Sequence, residues 1–314
     1  MIYNKFYILR CCLLFTAIFF LNKVYSGTLS SKADTRLSEK IYNSTYHFRF
    51  RHVDSLISAN ETLYANNLNF NLAVVNYYWW RLISSEKNAI FSTRLSQRIE
   101  KLKDFYDKKK TGQDKQELFM LISIYSYSAR VSLLNYSYYS AITDLSQYYS
   151  LIKKSFGHEE EFKALYLTSG LYYFFAGYTK ENMPLLSPLL YCYTLGNTEK
   201  GIQYIMVAGT FGSWEIQQEA KYFLMKINFD LNKNYLKAAK YCNQLLESYP
   251  ENLLFQLYML RINIALDQVS TANNRLTIIE RTARDNNQLT SDEKDYYISQ
   301  AKAVIETDNK KTKR

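Results

Sequence analysis

The sequence predicts an all-α protein built from antiparallel helix pairs, and three features predict it. Glycine (9) and proline (3) are scarce among 314 residues, while apolar residues make up 47%. Few turn-formers among so many long side chains argue for helices joined by short polar turns. The second feature is helical period. In "KNYLKAAKYCNQLLESYP" the apolar residues Tyr235, Ala238, Ala239, Cys242, Leu245, Leu246 and Tyr249 recur at i, i+3, i+4, i+7. The third is the connection. The preceding segment "EAKYFLMKINFDLN" is apolar nearly all round and is joined to the next helix by "NKN", so the two must be antiparallel partners.

Taken in order, the chain begins "MIYNKFYILRCCLLFTAIFFLNKVYSG". Lys5 and Arg10 precede an apolar core, Cys11–Leu21, and Ser26 precedes Gly27, which is the charge, grease and cleavage order of a secretory signal peptide over residues 1–26. The core is shorter than the roughly 20 apolar residues of a membrane span. Loss of Lys5, Arg10 and Lys23 lowers the net charge from +10 to +7. A basic tail, residues 307–314, holds part of the remainder and reads as a disordered end. No basic stripe marks a nucleic-acid surface. Cys192 and Cys242 remain after cleavage, either paired in an oxidising compartment or buried as free thiols.

Between these ends, "YHFRFRHVDSLISANETLY" reads as the second helix of one pair and "LNFNLAVVNYYWWRLI" as the first of the next. "ELFMLISIYSYSARVSLLNYSYYSAITDLSQYYSLI" reads as a further pair. "FKALYLTSGLYYFFAGY" is a first helix whose partner, "GNTEKGIQYIMVAG", is displaced by a two-proline insertion at 179–198. "LLFQLYMLRINIALDQV" and "TANNRLTIIERTA" close the series.

Residues 219–250 resemble a tetratricopeptide repeat, a 34-residue helix–turn–helix unit. Tyr222 stands where tryptophan is usual, Met225 at leucine, Phe229 at tyrosine, Ala238 at alanine and Pro250 at the closing proline, whereas Lys226 and Cys242 depart from the pattern. Tyr125, Ala129 and Ala141 take matching roles in one weaker copy, and Gly170 and Gly201 in another. Small residues are needed where helix backbones cross, and Pro250 ends its helix. The order of motifs along the chain also looks like that of exported tetratricopeptide proteins of Bacteroidetes-type bacteria. The resemblance implies an α-α superhelix, a TPR-like solenoid of six or seven hairpins over residues 27–306. It carries no catalytic residue across.

Chemistry has little to stand on. His47 and His52 are five apart, so one helix would not aim both at a metal. "GHEEE" (157–161) reads as the polar start of a helix. "GNTEKGIQ" has the glycine spacing of a phosphate loop, but Ile202 and Gln203 replace the lysine and hydroxyl, leaving a turn capped by Asn197 or Thr198. No metal, cofactor or enzymatic activity is expected.

The 30 tyrosines read mainly as wedges between helices. Tyr77, Tyr78, Trp79 and Trp80 fan around a helix, so one or two must face a groove or solvent. On the inner face of a superhelix, Leu167, Leu171, Phe174 and Phe175 would line an apolar groove, covered either by the 179–198 insertion or by a partner's helix or peptide. The expected function is that of an exported, non-catalytic scaffold that binds another protein. Tyr77, Trp80, Phe174, Phe175 and Trp214 are the candidate contacts. The alternative is an envelope carrier that stacks tyrosine and tryptophan on a glycan or small molecule, for which coplanar exposed rings around one pocket would be the sign.

Overall fold

The computed structural model describes residues 32–85, 89–109, 114–182 and 196–312, and among these residues it contains thirteen helices and no strand. The first seven helices are α1 (Lys32–Tyr46), α2 (Phe50–Asn60), α3 (Leu68–Ile83), α4 (Ala89–Lys109), α5 (Lys115–Leu134), α6 (Tyr138–Ser155) and α7 (Leu165–Asn182). The rest are α8 (Thr198–Phe211), α9 (Trp214–Lys226), α10 (Tyr235–Ser248), α11 (Leu253–Ala265), α12 (Val269–Asp285) and α13 (Ser291–Thr312). The candidate signal peptide and most of the 179–198 insertion lie outside the described residues.

One turn design recurs four times. Phe48, Tyr136, Lys233 and Asp267 have φ of +55°, +58°, +52° and +57°, and in each case a helix begins two residues later. The residue after the left-handed one closes the preceding helix through its backbone N–H. Arg49 donates to Ser44 O, Ser137 to Ser132 O and Gln268 to Asn263 O, each five residues back. This is the six-to-one bond of a helix terminated in the left-handed region. At the third turn Asn234 donates six residues back, to Asn228 O, because a π-turn at Ile227–Leu231 inserts one residue after α9. Five residues beyond the left-handed position stands a buried residue of the new helix: Val53, Ala141, Ala238 and Ala272. Lys233 and Asp267 are 34 residues apart, so two hairpins repeat in full register.

The described chain divides into two compact units, Thr93–Ala220 and Leu29–Ser92 with Lys221–Arg314, where the sequence suggests one continuous array. In the mid-chain unit, α5 pairs with α6 and α7 with α8. The second pair is pressed close by glycine. A Cβ at Gly201 would lie 2.4 Å from Phe174 N, and one at Gly170 would lie 2.9 Å from Ile205 N. Asn197 N donates to Tyr173 O (2.9 Å) just before α8 begins, and the Asn197 side chain caps α8 by accepting from Lys200 N. "GHEEE" is not a helix start. Gly157 (φ +86°) ends the α6 connection, and turns occupy 159–164 before α7 begins at Leu165.

In the terminal unit, α1 packs on α3, while α10 to α13 pack in sequence order. The core here is aromatic. Trp80 touches Tyr46 (5.1 Å between centroids), Phe255 (5.9 Å), Phe48 (6.0 Å) and Tyr222 (6.1 Å). Rings at these separations contribute about 0.5–1.5 kcal/mol per pair beyond their burial. α13 runs on to Thr312, six residues into the segment expected as a tail, because no glycine or proline there interrupts it. Its start is a reciprocal cap in which Glu293 Oε2 accepts from Thr290 N while Thr290 Oγ1 accepts from Glu293 N.

An ionic hub ties α2, α3 and α13 together. Arg81, with its side chain 7% exposed, donates from Nη1 to Asp54 Oδ2 (3.1 Å) and to the Tyr77 hydroxyl (2.5 Å). Its Nε lies 2.6 Å from Glu293 Oε1, an ion contact whose N–H is not aimed as in a hydrogen bond. The guanidinium also lies over the rings of Phe91 (4.1 Å) and Phe50 (5.1 Å).

Candidate functional site

The terminal unit draws together residues more than 200 positions apart. Two C-terminal turns hold the corner formed by residues 46–52. Asn252 Nδ2 donates to Tyr46 O (2.8 Å) and Asn286 Nδ2 to Phe48 O (3.4 Å). Gln288 then caps α2, its backbone carbonyl taking Arg51 N (3.3 Å) and its side-chain Oε1 taking His52 N (3.0 Å). The first N–H groups of a helix have no partner within it, and Arg49 at the N-cap position supplies no side-chain bond. Gln288 fills that need from across the fold, and its own N–H donates to Asn286 Oδ1 (2.8 Å).

Beside this clasp opens a cleft of about 660 Å³, bordered by Arg49, His52, Glu251, Arg281, Thr282 and Asp285 and by the 286–288 turn. Arg49, Glu251, Arg281 and Asp285 are exposed. Their charged ends have no hydrogen-bond or ion-pair partner among the described residues. Next to them, burial and then the Arg49 cation hold the His47 imidazole below its ordinary value, while the Glu251 carboxylate pulls the other way. The cleft therefore presents two cations and two anions on a hydrogen-bonded backbone.

Most of the candidate contacts read from the sequence are core. Tyr77, Trp80, Phe174 and Phe175 are buried, so they are not available to a partner in this structure. Tyr77 sits in the Arg81 hub, Trp80 in the aromatic core, and Phe174 against Gly201. Trp214 alone of the five is half-buried. It is Tyr78 and Trp79 that face outward in part, and Leu167 and Leu171 are buried with the two phenylalanines. Of the repeat positions, Ala129, Ala141, Gly170, Gly201 and Ala238 are buried. Tyr125, Tyr222 and Phe229 are half-buried, and Pro250 is exposed just beyond α10. Lys226, a departure from the repeat pattern, reaches Asp230 (2.9 Å) and the Tyr258 hydroxyl (2.5 Å). Cys242 is a buried free thiol pushed up to about 12 by burial, and its Sγ donates to Phe255 O. Cys192 lies outside the described residues.

Two other polar clusters invite a chemical reading. In the mid-chain unit Lys103 Nζ meets Ser128 Oγ (2.6 Å) and Asp144 Oδ1 (2.7 Å), while Ser128 donates to Asp144 Oδ2 (2.7 Å). A serine beside a lysine suggests an activated nucleophile. Burial disfavours the lysine charge, but bonding to Asp144 and then Glu100 outweighs it and raises Lys103, so the ammonium cannot take the serine proton. The cluster is an ionic tie between α4, α5 and α6. No group of three His, Cys, Asp or Glu side chains placed to hold a metal ion occurs among the described residues. No described helix is long and apolar enough to cross a membrane.

The second cluster is on α9, where Glu219 is fully buried and neither carboxyl oxygen has a hydrogen-bond partner among the described residues. Burial alone pushes its carboxyl well above the usual carboxylate range. A raised folded-state value means full stability below the unfolded carboxylate value of 4.5, lost as pH rises from there toward the folded value. Glu219→Leu is expected to stabilise the chain at neutral pH by about 1–3 kcal/mol, the penalty of an orphaned buried polar group. The gap between variant and native protein should widen with rising pH in urea titrations. A constant gap would show that the carboxyl reaches water or a partner. Nothing in the sequence marks Glu219 as a buried carboxyl.

Comparison with protein-family models, curated proteins and solved structures finds no match.

Proposed function

We propose that the chain is an exported, non-catalytic scaffold of the tetratricopeptide type that binds another protein. The observation that carries this reading is the repeated turn, used four times, with two of the four 34 residues apart and each followed five residues on by a buried residue of the new helix. Stacked hairpins of this kind present a stiff surface whose shape does the binding. In this reading the helices of residues 32–92 and 221–312 share one core.

The carrier alternative calls for coplanar exposed rings around one pocket. The half-exposed Tyr166 and Tyr204 meet edge-on instead, at 75°, and the cleft at Arg49 is lined by a single ring, that of His52. The scaffold reading is therefore preferred, with its contacts outside the buried aromatics.

The test is co-purification of the tagged full chain from envelope fractions, with intact mass to find the mature N-terminus. A processed N-terminus and one protein in fixed stoichiometry through gel filtration are expected. Retention of Met1 in a cytoplasmic protein, or a shift in melting temperature with an oligosaccharide and no protein partner, would defeat it.

A further inference from the structure

We propose that the cleft between Arg49 and Arg281 is a binding site for a small zwitterion of the peptide kind, carrying a carboxylate and a cationic group a few bonds apart. The argument starts from unspent charge. Arg49 and Arg281 each present a guanidinium with no partner among the described residues, and Glu251 and Asp285 each present a carboxylate in the same condition. Guanidinium groups hold carboxylates through paired N–H donors, and carboxylates hold ammonium or guanidinium groups in return.

The mixture of signs selects the ligand. A simple anion drawn to the arginines meets Glu251 and Asp285, and a simple cation drawn to the acids meets the arginines. A nucleic-acid backbone, uniformly negative, is disfavoured in the same way. A zwitterion satisfies both sets together. His52 is the one aromatic ring in the lining, so the cleft offers no pair of rings between which a flat base or sugar could be held. Thr282 and Asn287, also in the lining, carry a hydroxyl and an amide N–H for the neutral hydrogen bonds of a peptide unit, the Asn287 Oδ1 already accepting from Gln288 Nε2 (3.0 Å). The volume, about 660 Å³, lies within the range of small-ligand sites.

The walls are also fixed in advance. Arg49 leads into α2, whose first turn is capped by Gln288, and the 286–288 turn is bonded to Phe48 through Asn286. Little backbone ordering remains when a ligand enters, which favours affinity. The proposal is independent of the scaffold reading, because a protein partner could dock elsewhere with the cleft filled or empty.

Calorimetric titration of the full chain tests it, with the dipeptide Lys-Glu as probe and acetyl-Glu-amide and acetyl-Lys-amide as single-sign controls. Lys-Glu is expected to bind at least tenfold more tightly than either control, and to weaken with added salt. Arg281→Gln and Glu251→Gln alter exposed, unpaired groups at opposite signs of the cleft, so each should keep the native melting temperature and lose Lys-Glu binding at least tenfold. If Lys-Glu gives no heat at millimolar concentration, or acetyl-Glu-amide binds equally well, the zwitterion site is wrong. Unchanged binding of Lys-Glu by both variants would likewise place it elsewhere on the protein and overturn the proposal.

Discussion

Arg81→Ala is expected to cost about 3–5 kcal/mol of folding stability, the range for breaking a buried ion pair from one side. The loss comes less from the attraction removed than from what is left behind. Glu293, with its side chain 2% exposed, would keep a charge with no counter-ion, while Asp54, 44% exposed, can turn to water. The paired replacement Arg81→Leu with Glu293→Leu should therefore recover much of the loss, although it sacrifices the α13 cap. Urea unfolding of the two variants checks both statements. Equal destabilisation by single and double changes would mean that packing against Phe50 and Phe91, and not charge, is what Arg81 supplies.

Gly→Ala is expected to act in opposite directions at two positions of α8. At Gly201 the new Cβ would fall 2.4 Å from Phe174 N and 2.6 Å from its Cα. Those are backbone atoms, so the helices must separate, at a cost of about 1–3 kcal/mol or more. At Gly209 the new Cβ would stand 3.4 Å from the Ala220 Cβ, an ordinary contact. There the substitution should add about 0.5–1 kcal/mol of stability, because alanine loses less freedom on entering a helix. Thermal melting of the two single variants decides it. Similar melting points would contradict the close approach of α7 and α8.

The helices and several of their partners are legible in the sequence because the determinants are local. Tyr235, Ala238, Cys242 and Leu245 encode one face of α10 by spacing alone, and Pro250 marks the end. Gly201 could be picked out as a crossing residue because it falls at the small-residue position of the repeat pattern. Choosing among neighbouring aromatics failed for a physical reason. Period shows that Tyr77 and Trp80 share one face and Tyr78 and Trp79 another, but not which of the two faces is covered. The cleft was illegible for the same reason at longer range. Arg49 and Arg281 lie in stretches with no shared pattern, and only the bonds from Asn252, Asn286 and Gln288 to the 46–52 corner bring them together. The left-handed Phe48 is equally unforeseen, since an aromatic residue seldom adopts that conformation.

The bonds between Gln288 and the beginning of α2 have a bearing on how the protein is made. A chain leaving the ribosome releases α1 to α3 before α11 to α13, and the start of α2 lacks its cap until Gln288, 236 residues after His52, has been made. The mid-chain unit, whose hairpins close on near neighbours, can fold early, whereas the unit made from both ends must wait and so exposes Phe48, Phe50 and Trp80 in the interim. Chains that stop before Gln288 would keep that first segment uncovered, which marks the truncated product for chaperones or proteases.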